Sequence, residues 1–242
     1  VDTHWEPLGG GLKVLVSAVH RFNTDTLLLA DFSMPCRRER CADLGCGCGT
    51  IPLLWCSRGN PGPVTALELQ EDAAVLAERS VRENGLESRV SVLQGDLRDY
   101  KALLPHQGLD LAVCNPPYYP PGTGLRGEVP QRTLARHGEG LSLEDLARAA
   151  RYALKCGGRL CLCLPTFRLA EAASVFSTHS LESKRLRLVQ ARREKPAYLF
   201  LLECRSGGKP GLQTEPVLIL QERNGEFSPE MKKIYGDYYG FL

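Results

Sequence analysis

Residues 43–50 read DLGCGCGT, and RCADL, 40–44, is a short strand-like run that ends in this glycine loop. Glycines at 45, 47 and 49 alternate with other residues, so the chain can turn tightly and a ligand can approach its backbone closely. The pattern is GxGxG. The third glycine of a dinucleotide-binding GxGxxG falls on Thr50, and no Gly-Lys-Ser/Thr follows, which excludes a phosphate loop. Taken alone, the stretch is either a tight strand-to-helix turn or the cradle of a nucleotide-like ligand.

Working outward, apolar runs alternate with helical patterns. PVTALEL (63–69) is strand-like, and EDAAVLAERSVRENG (71–85) puts Ala74, Leu76, Ala77 and Val81 on one side and ends at Asn84-Gly85. RVSVLQGD (89–96) and LDLAVCNPP (109–117) read as two further buried strands. SLEDLARAARYALKCGG (142–158) reads as a capped helix with a glycine stop, and RLCLCLP (159–165) as a strand. TFRLAEAASVFSTHS (166–180) fits another helix, and KRLRLVQARREKPAYLFLLECR (184–205) two strands joined by a charged turn. Such alternation predicts an α/β fold, a mostly parallel sheet covered on both faces, with a closing antiparallel pair. GGKPG (207–211) then separates a short tail, giving an extension over 1–40, a core over 41–206 and a tail over 207–242.

Composition sets limits. The chain has 242 residues, 43% apolar and 24% charged, enough for a full core. A net charge of +2 is too mild to argue for nucleic acid or membrane, so local charge must carry that argument. No stretch approaches a membrane span, and VDTHWEPLGGG lacks the features of a signal peptide, which predicts a cytoplasmic protein. The ten cysteines form no pair of CxxC knuckles, so neither a metal nor a disulfide framework is expected; they read as small apolar residues in a reducing compartment.

Ligands of open α/β sheets bind at the carboxyl ends of the strands. Beyond the glycine turn, the second strand ends in Glu68, suited to a ribose diol, and the third in Asp96, suited to an exocyclic amine. Each acid alone reads equally well as a cap for the helix that follows. The fourth strand ends in NPPY, 115–118, where the prolines serve at the least to end the strand.

Through DLGCGCG, Glu68, Asp96 and above all NPPY, residues 41–205 resemble the class I S-adenosylmethionine-dependent methyltransferases. The resemblance implies a Rossmann-like seven-stranded sheet with an antiparallel last pair. It implies S-adenosylmethionine held by Asp43, Gly45, Cys46, Gly47, Gly49, Glu68, Asp96, Leu97 and Asn115. The Asn-Pro-Pro-Tyr sequence marks members that methylate a planar sp² nitrogen: an adenine amine, a guanine amine or a glutamine amide. The residue types suit that chemistry. A delocalised amine is a poor nucleophile, and the Asn115 side chain with the Pro116 carbonyl can accept its two hydrogens and direct its lone pair. Pro117 stiffens the turn and Tyr118 offers a face on which a flipped base can stack.

HRFNTDTLLLADF (20–32) resembles the Gly-Thr-Asp-Ala segment of the bacterial tRNA1(Val) adenine-37 N6-methyltransferases, with Asn23 in the glycine's place, where it would tolerate positive φ. That family resemblance extends to LARHGEGLSLEDLARAARYALKCGGRL (134–160). It implies that Thr24 and Asp25 lie over the cofactor and that the partner is a tRNA anticodon loop. Separately, the loop from Pro120 to Gly140 carries Arg126, Arg132, Arg136 and His137 against Glu128 and Glu139 beside the proposed base pocket, and position favours Arg126 or Arg132 for RNA contact. A monomer is expected, with no metal and no membrane. The basic runs CRRER and KRLRLVQARREK also read as solvated faces. Alternatives are glutamine methylation of release factors, disfavoured by the short segment before the glycine turn, guanine-N2 methylation of ribosomal RNA, and a noncatalytic RNA-binding module.

Overall fold

The computed structural model describes residues 2–116 and 141–241. Two strands, β1 (Thr3–Gly9) and β2 (Leu12–Ser17), form an antiparallel hairpin that the sequence reading did not anticipate. β2 lies against helix α3 (Glu71–Glu83), where the Leu15 amide donates to Ser80 Oγ at 2.9 Å. Helix α1 (Thr24–Phe32) follows. Asn23 is its N-cap and accepts from the Thr26 amide at 3.0 Å, with φ −133. The expected positive φ at Asn23 is therefore corrected: asparagine is used here as a helix cap in extended conformation.

The core starts with β3 (Cys41–Leu44), α2 (Thr50–Arg58), β4 (Val64–Glu68), α3 and β5 (Val90–Gln94). It goes on through a short α4 (Tyr100–Leu103), β6 (Leu109–Cys114), α5 (Leu143–Ala153) and β7 (Leu154–Pro165). Then come α6 (Leu169–Thr178), β8 (Leu181–Arg192) and β9 (Ala197–Ser206). The sheet order is β5-β4-β3-β6-β7-β9-β8, all parallel except β9, which is antiparallel to both neighbours. Seven strands thus form the expected core. Two short tail strands, β10 (Gln213–Thr214) and β11 (Leu218–Gln221), pair with β8 and widen the sheet. Helix α7 (Pro229–Tyr235) follows them.

Burial explains why the strands read as apolar runs. Along β7, Cys161 and Cys163 face the layer of α1 and α2, whereas Leu160, Leu162 and Leu164 face α5 and α6, all fully buried. Eight of the ten cysteines are buried, which makes them core residues. One helix boundary is corrected. α5 stops at Ala153, and the glycines at 157 and 158 lie within β7, because pairing with β6 already begins at Leu109↔Leu154. Ser142 starts α5 with a capping box to Asp145.

Candidate active site

Winding of the sheet reverses between β3 and β6: the chain runs outward from β3 through β4 to β5, then returns to β6 on the other side of β3. In open α/β sheets such a reversal is where ligands bind, outside the carboxyl ends of the strands. Asp43 pairs with Val113, so the register brings Gly45 and Asn115, each two residues further on, out at the same edge.

Gly45 and Gly47 have φ of +87° and +55°, and a Cβ on either would meet nothing within 4 Å. Both conformations favour glycine, and the loop borders open space. Glu68, at the end of β4, accepts from the Gly47 amide at 2.8 Å and the Gln70 amide at 2.9 Å. Each carboxylate oxygen keeps a further lone pair for a ligand hydroxyl. Cys46 is buried, and its amide donates to Leu67 O at 3.0 Å. Gly49 is the N-cap of α2.

Asp43 is 1% exposed, and neither of its carboxylate oxygens has a hydrogen-bond partner. Burial, reinforced by the neighbouring Glu68, holds its carboxyl well above the usual range. An orphaned buried acceptor is costly. The cationic sulfonium and ammonium groups of S-adenosylmethionine have the charge this site lacks, so the residues present fit that cofactor.

Asp96 differs from its neighbours. It accepts from the Arg98 amide at 2.9 Å and from the Arg98 guanidinium, which holds its carboxyl below the usual value. Its observed role is to cap the short turn that follows, and Leu97 is buried in the core on the α5 face.

The start of α1 lies across the strand ends. Asp25 is 8% exposed and its Oδ1 accepts from the Tyr198 hydroxyl, at the start of β9, at 3.4 Å. Burial and the Asp25 carboxylate push the Tyr198 phenol up, so it remains a donor. Thr24 Oγ1 is 3.4 Å from the Tyr235 hydroxyl of α7. Asn115 Nδ2 donates to Thr26 Oγ1 at 3.4 Å, and the Cys163 thiol donates to Asn115 Oδ1 at 3.2 Å. Pro116 is buried beside them. The sequence reading missed Thr26, Cys163, Tyr198 and Tyr235; nothing local marks them, since each meets the site through pairings remote in the chain. Pro117, Tyr118, Arg126, Arg132, Arg136 and His137 lie outside the described residues.

A reversed parallel sheet with a glycine turn after its first core strand and Asn-Pro where β6 ends is the architecture of class I S-adenosylmethionine-dependent methyltransferases. Residues 18–184 match the methyltransferase small domain, and the chain belongs to that family. A tRNA1(Val) (adenine(37)-N6)-methyltransferase of Porphyromonas gingivalis is 31% identical over 231 residues, covering 90% of this chain and 88% of its own. A protein of the same name from Photorhabdus laumondii is 27% identical, with the same coverages. The crystal structure of a predicted O-methyltransferase from Agrobacterium tumefaciens superposes with a TM-score of 0.71 at 24% identity, over 88% of this chain and 96% of that one, which shows a shared fold. The protein is an enzyme whose cofactor is S-adenosylmethionine.

Proposed function

We propose that the enzyme methylates N6 of an unpaired adenine in tRNA, at position 37 of tRNA1(Val). The observation that carries this reading is Asn115-Pro116 emerging beside the glycine turn in a chain whose relatives bear that name. S-adenosylmethionine supplies an electrophilic methyl group. Asp43 and the turn from Gly45 to Gly49 would hold it, Glu68 would take the ribose hydroxyls, and Thr24 and Asp25 would close over it from α1.

Asn115 Oδ1 and the Pro116 carbonyl accept the two amine hydrogens, which concentrates the lone pair on the side facing the methyl group. Tyr118 stacks on the base, and Arg126, Arg132, Arg136 and His137 border the RNA. Transfer would form the N–C bond as the sulfonium S–C bond breaks, with the neutral thioether S-adenosylhomocysteine leaving; the nitrogen, now cationic and acidic, then loses a proton to solvent, so no strong base is needed. Asp96, engaged by Arg98, would reach the cofactor's own adenine amine through whichever lone pairs Arg98 leaves. The base beside an anticodon is already unpaired and cheap to flip. Among the described residues no helix is long and apolar enough to cross a membrane, and a cytoplasmic monomer suits a tRNA substrate.

The test is incubation with labelled cofactor and unmodified tRNA, followed by nucleoside mass spectrometry. N6-methyladenosine in the anticodon loop is expected. Label in a release factor, or N2-methylguanosine in ribosomal RNA, overturns the substrate.

A further inference from the structure

We infer that Thr26 and Cys163 are positioning residues that fix which end of the Asn115 amide is oxygen and which is nitrogen. The inference rests on Asn115 being the acceptor of the substrate amine, a role open only to its oxygen.

The orientation follows from the direction of each hydrogen bond. Asn23 Oδ1 accepts the backbone amide of Thr26 at 3.0 Å and the Thr26 hydroxyl at 3.0 Å. With its hydrogen committed to Asn23, Thr26 Oγ1 presents lone pairs to Asn115, and so receives an N–H at 3.4 Å. On the other side stands Cys163, fully buried, whose thiol donates to Asn115 Oδ1 at 3.2 Å. Burial, helped by the Asp25 charge, raises that thiol well above its ordinary value, so it keeps its proton. A thiol donates weakly and accepts weakly, but here it opposes an oxygen that has a second lone pair to offer.

Both neighbours dictate the same arrangement. Rotating the amide by half a turn sets its carbonyl against a hydroxyl whose hydrogen is engaged elsewhere, and loses the thiol contact to oxygen. Thr26 belongs to α1 and Cys163 to β7, so the helix that lies over the strand ends and the sheet beneath it grip Asn115 jointly. The α1 segment therefore does more than close the pocket: it aligns the acceptor on β6.

Thr26→Val keeps the shape and removes the hydroxyl; Thr26→Ser restores it. Thr26→Val should lower kcat roughly 3- to 10-fold, the worth of one ordinary hydrogen bond, with cofactor Kd and tRNA KM unchanged, and Thr26→Ser should recover most of it. Cys163→Ala should act in the same direction and Cys163→Ser less, which supplies an independent reading if Thr26→Val folds poorly. In an Asn115→Ala background neither change should matter further, because the group they orient is gone. Equal losses with and without Asn115, or a weakened cofactor Kd in step with kcat, overturn the inference in favour of general structural damage. Full turnover in Thr26→Val and Cys163→Ala beside a slow Asn115→Ala overturns it alone. Full turnover in Asn115→Ala overturns the functional reading and this inference with it.

Discussion

The hydroxyl of Tyr235, in α7, lies 3.4 Å from that of Thr24, the first residue of α1 and 211 positions earlier in the chain. Arg58 secures the same helix from α2: its guanidinium donates to the carbonyls of Ile234 and Tyr235, at 2.5 and 3.0 Å. These are carbonyls at the helix C-terminus, which have no partner within the helix. Tyr235 is 3% exposed and packs edge-on against Phe227 and Tyr238. The tail thus buttresses the segment that lies over the strand ends.

Separating the ring from the hydroxyl tests that buttress. Tyr235→Ala leaves a cavity and should cost about 3–5 kcal/mol, by analogy with other buried aromatic truncations. Tyr235→Phe keeps the packing and should cost at most about 1.5 kcal/mol. Urea unfolding measures both; an alanine variant as stable as the parent would show that the tail merely rests on the core.

Asp43 makes stability depend on pH with a definite sign. Its folded pKa is raised, so between its ordinary value, about 4, and the raised one the folded state binds more protons than the unfolded state, and stability falls as pH rises through that window. Asp43→Asn should flatten that fall and raise the melting temperature of the cofactor-free protein at neutral pH, while weakening cofactor binding. Melting curves from pH 4 upward, with and without S-adenosylmethionine, check both halves. A variant whose pH slope matches the parent's refutes the assignment.

Glu68 both holds the Gly47 loop and serves as the proposed ribose acceptor. Glu68→Ala should weaken cofactor binding by roughly tenfold or more, given what hydrogen bonds to a charged group are worth. Calorimetry reads it directly, and unchanged affinity would remove Glu68 from the binding site.

Asn115→Ala separates binding from chemistry. Cofactor affinity should be nearly unchanged and kcat should fall by ~10²–10³, because the acceptor matters most as charge develops on nitrogen. Tyr118→Phe should be tolerated and Tyr118→Ala should weaken tRNA binding, since stacking uses the ring face. Single-turnover rates beside filter-binding of tRNA resolve the cases.

Most of the sheet was legible because strands buried on both faces must be apolar throughout, as LDLAVC and RLCLCL are. The glycine turn was legible for a related reason: positive φ at Gly45 and Gly47 restricts the residue types there. Two features were hidden by local signals that pointed elsewhere. The glycines at 157 and 158 suggested a helix stop, but strand pairing claims the chain from Leu154. Arg98, two residues after Asp96, engages a carboxylate that sequence spacing alone offers to a ligand. The hairpin went unread although Gly9, Gly10 and Gly11 all turn with positive φ. Tyr198 and Tyr235 were invisible because only the folded topology brings β9 and α7 to the start of α1.

The position of α7 in the chain also imposes an order on biosynthesis. A ribosome delivers the glycine turn, Asn115 and every strand of the sheet before it delivers Tyr235, the residue that buttresses the start of α1. Until that helix emerges, Thr24 lacks its partner and Arg58 has no carbonyls to hold. A nascent chain therefore carries all its strands before it carries the helix that braces the start of α1. The last helix delivered is thus the one that joins the start of α1 to the end of α2.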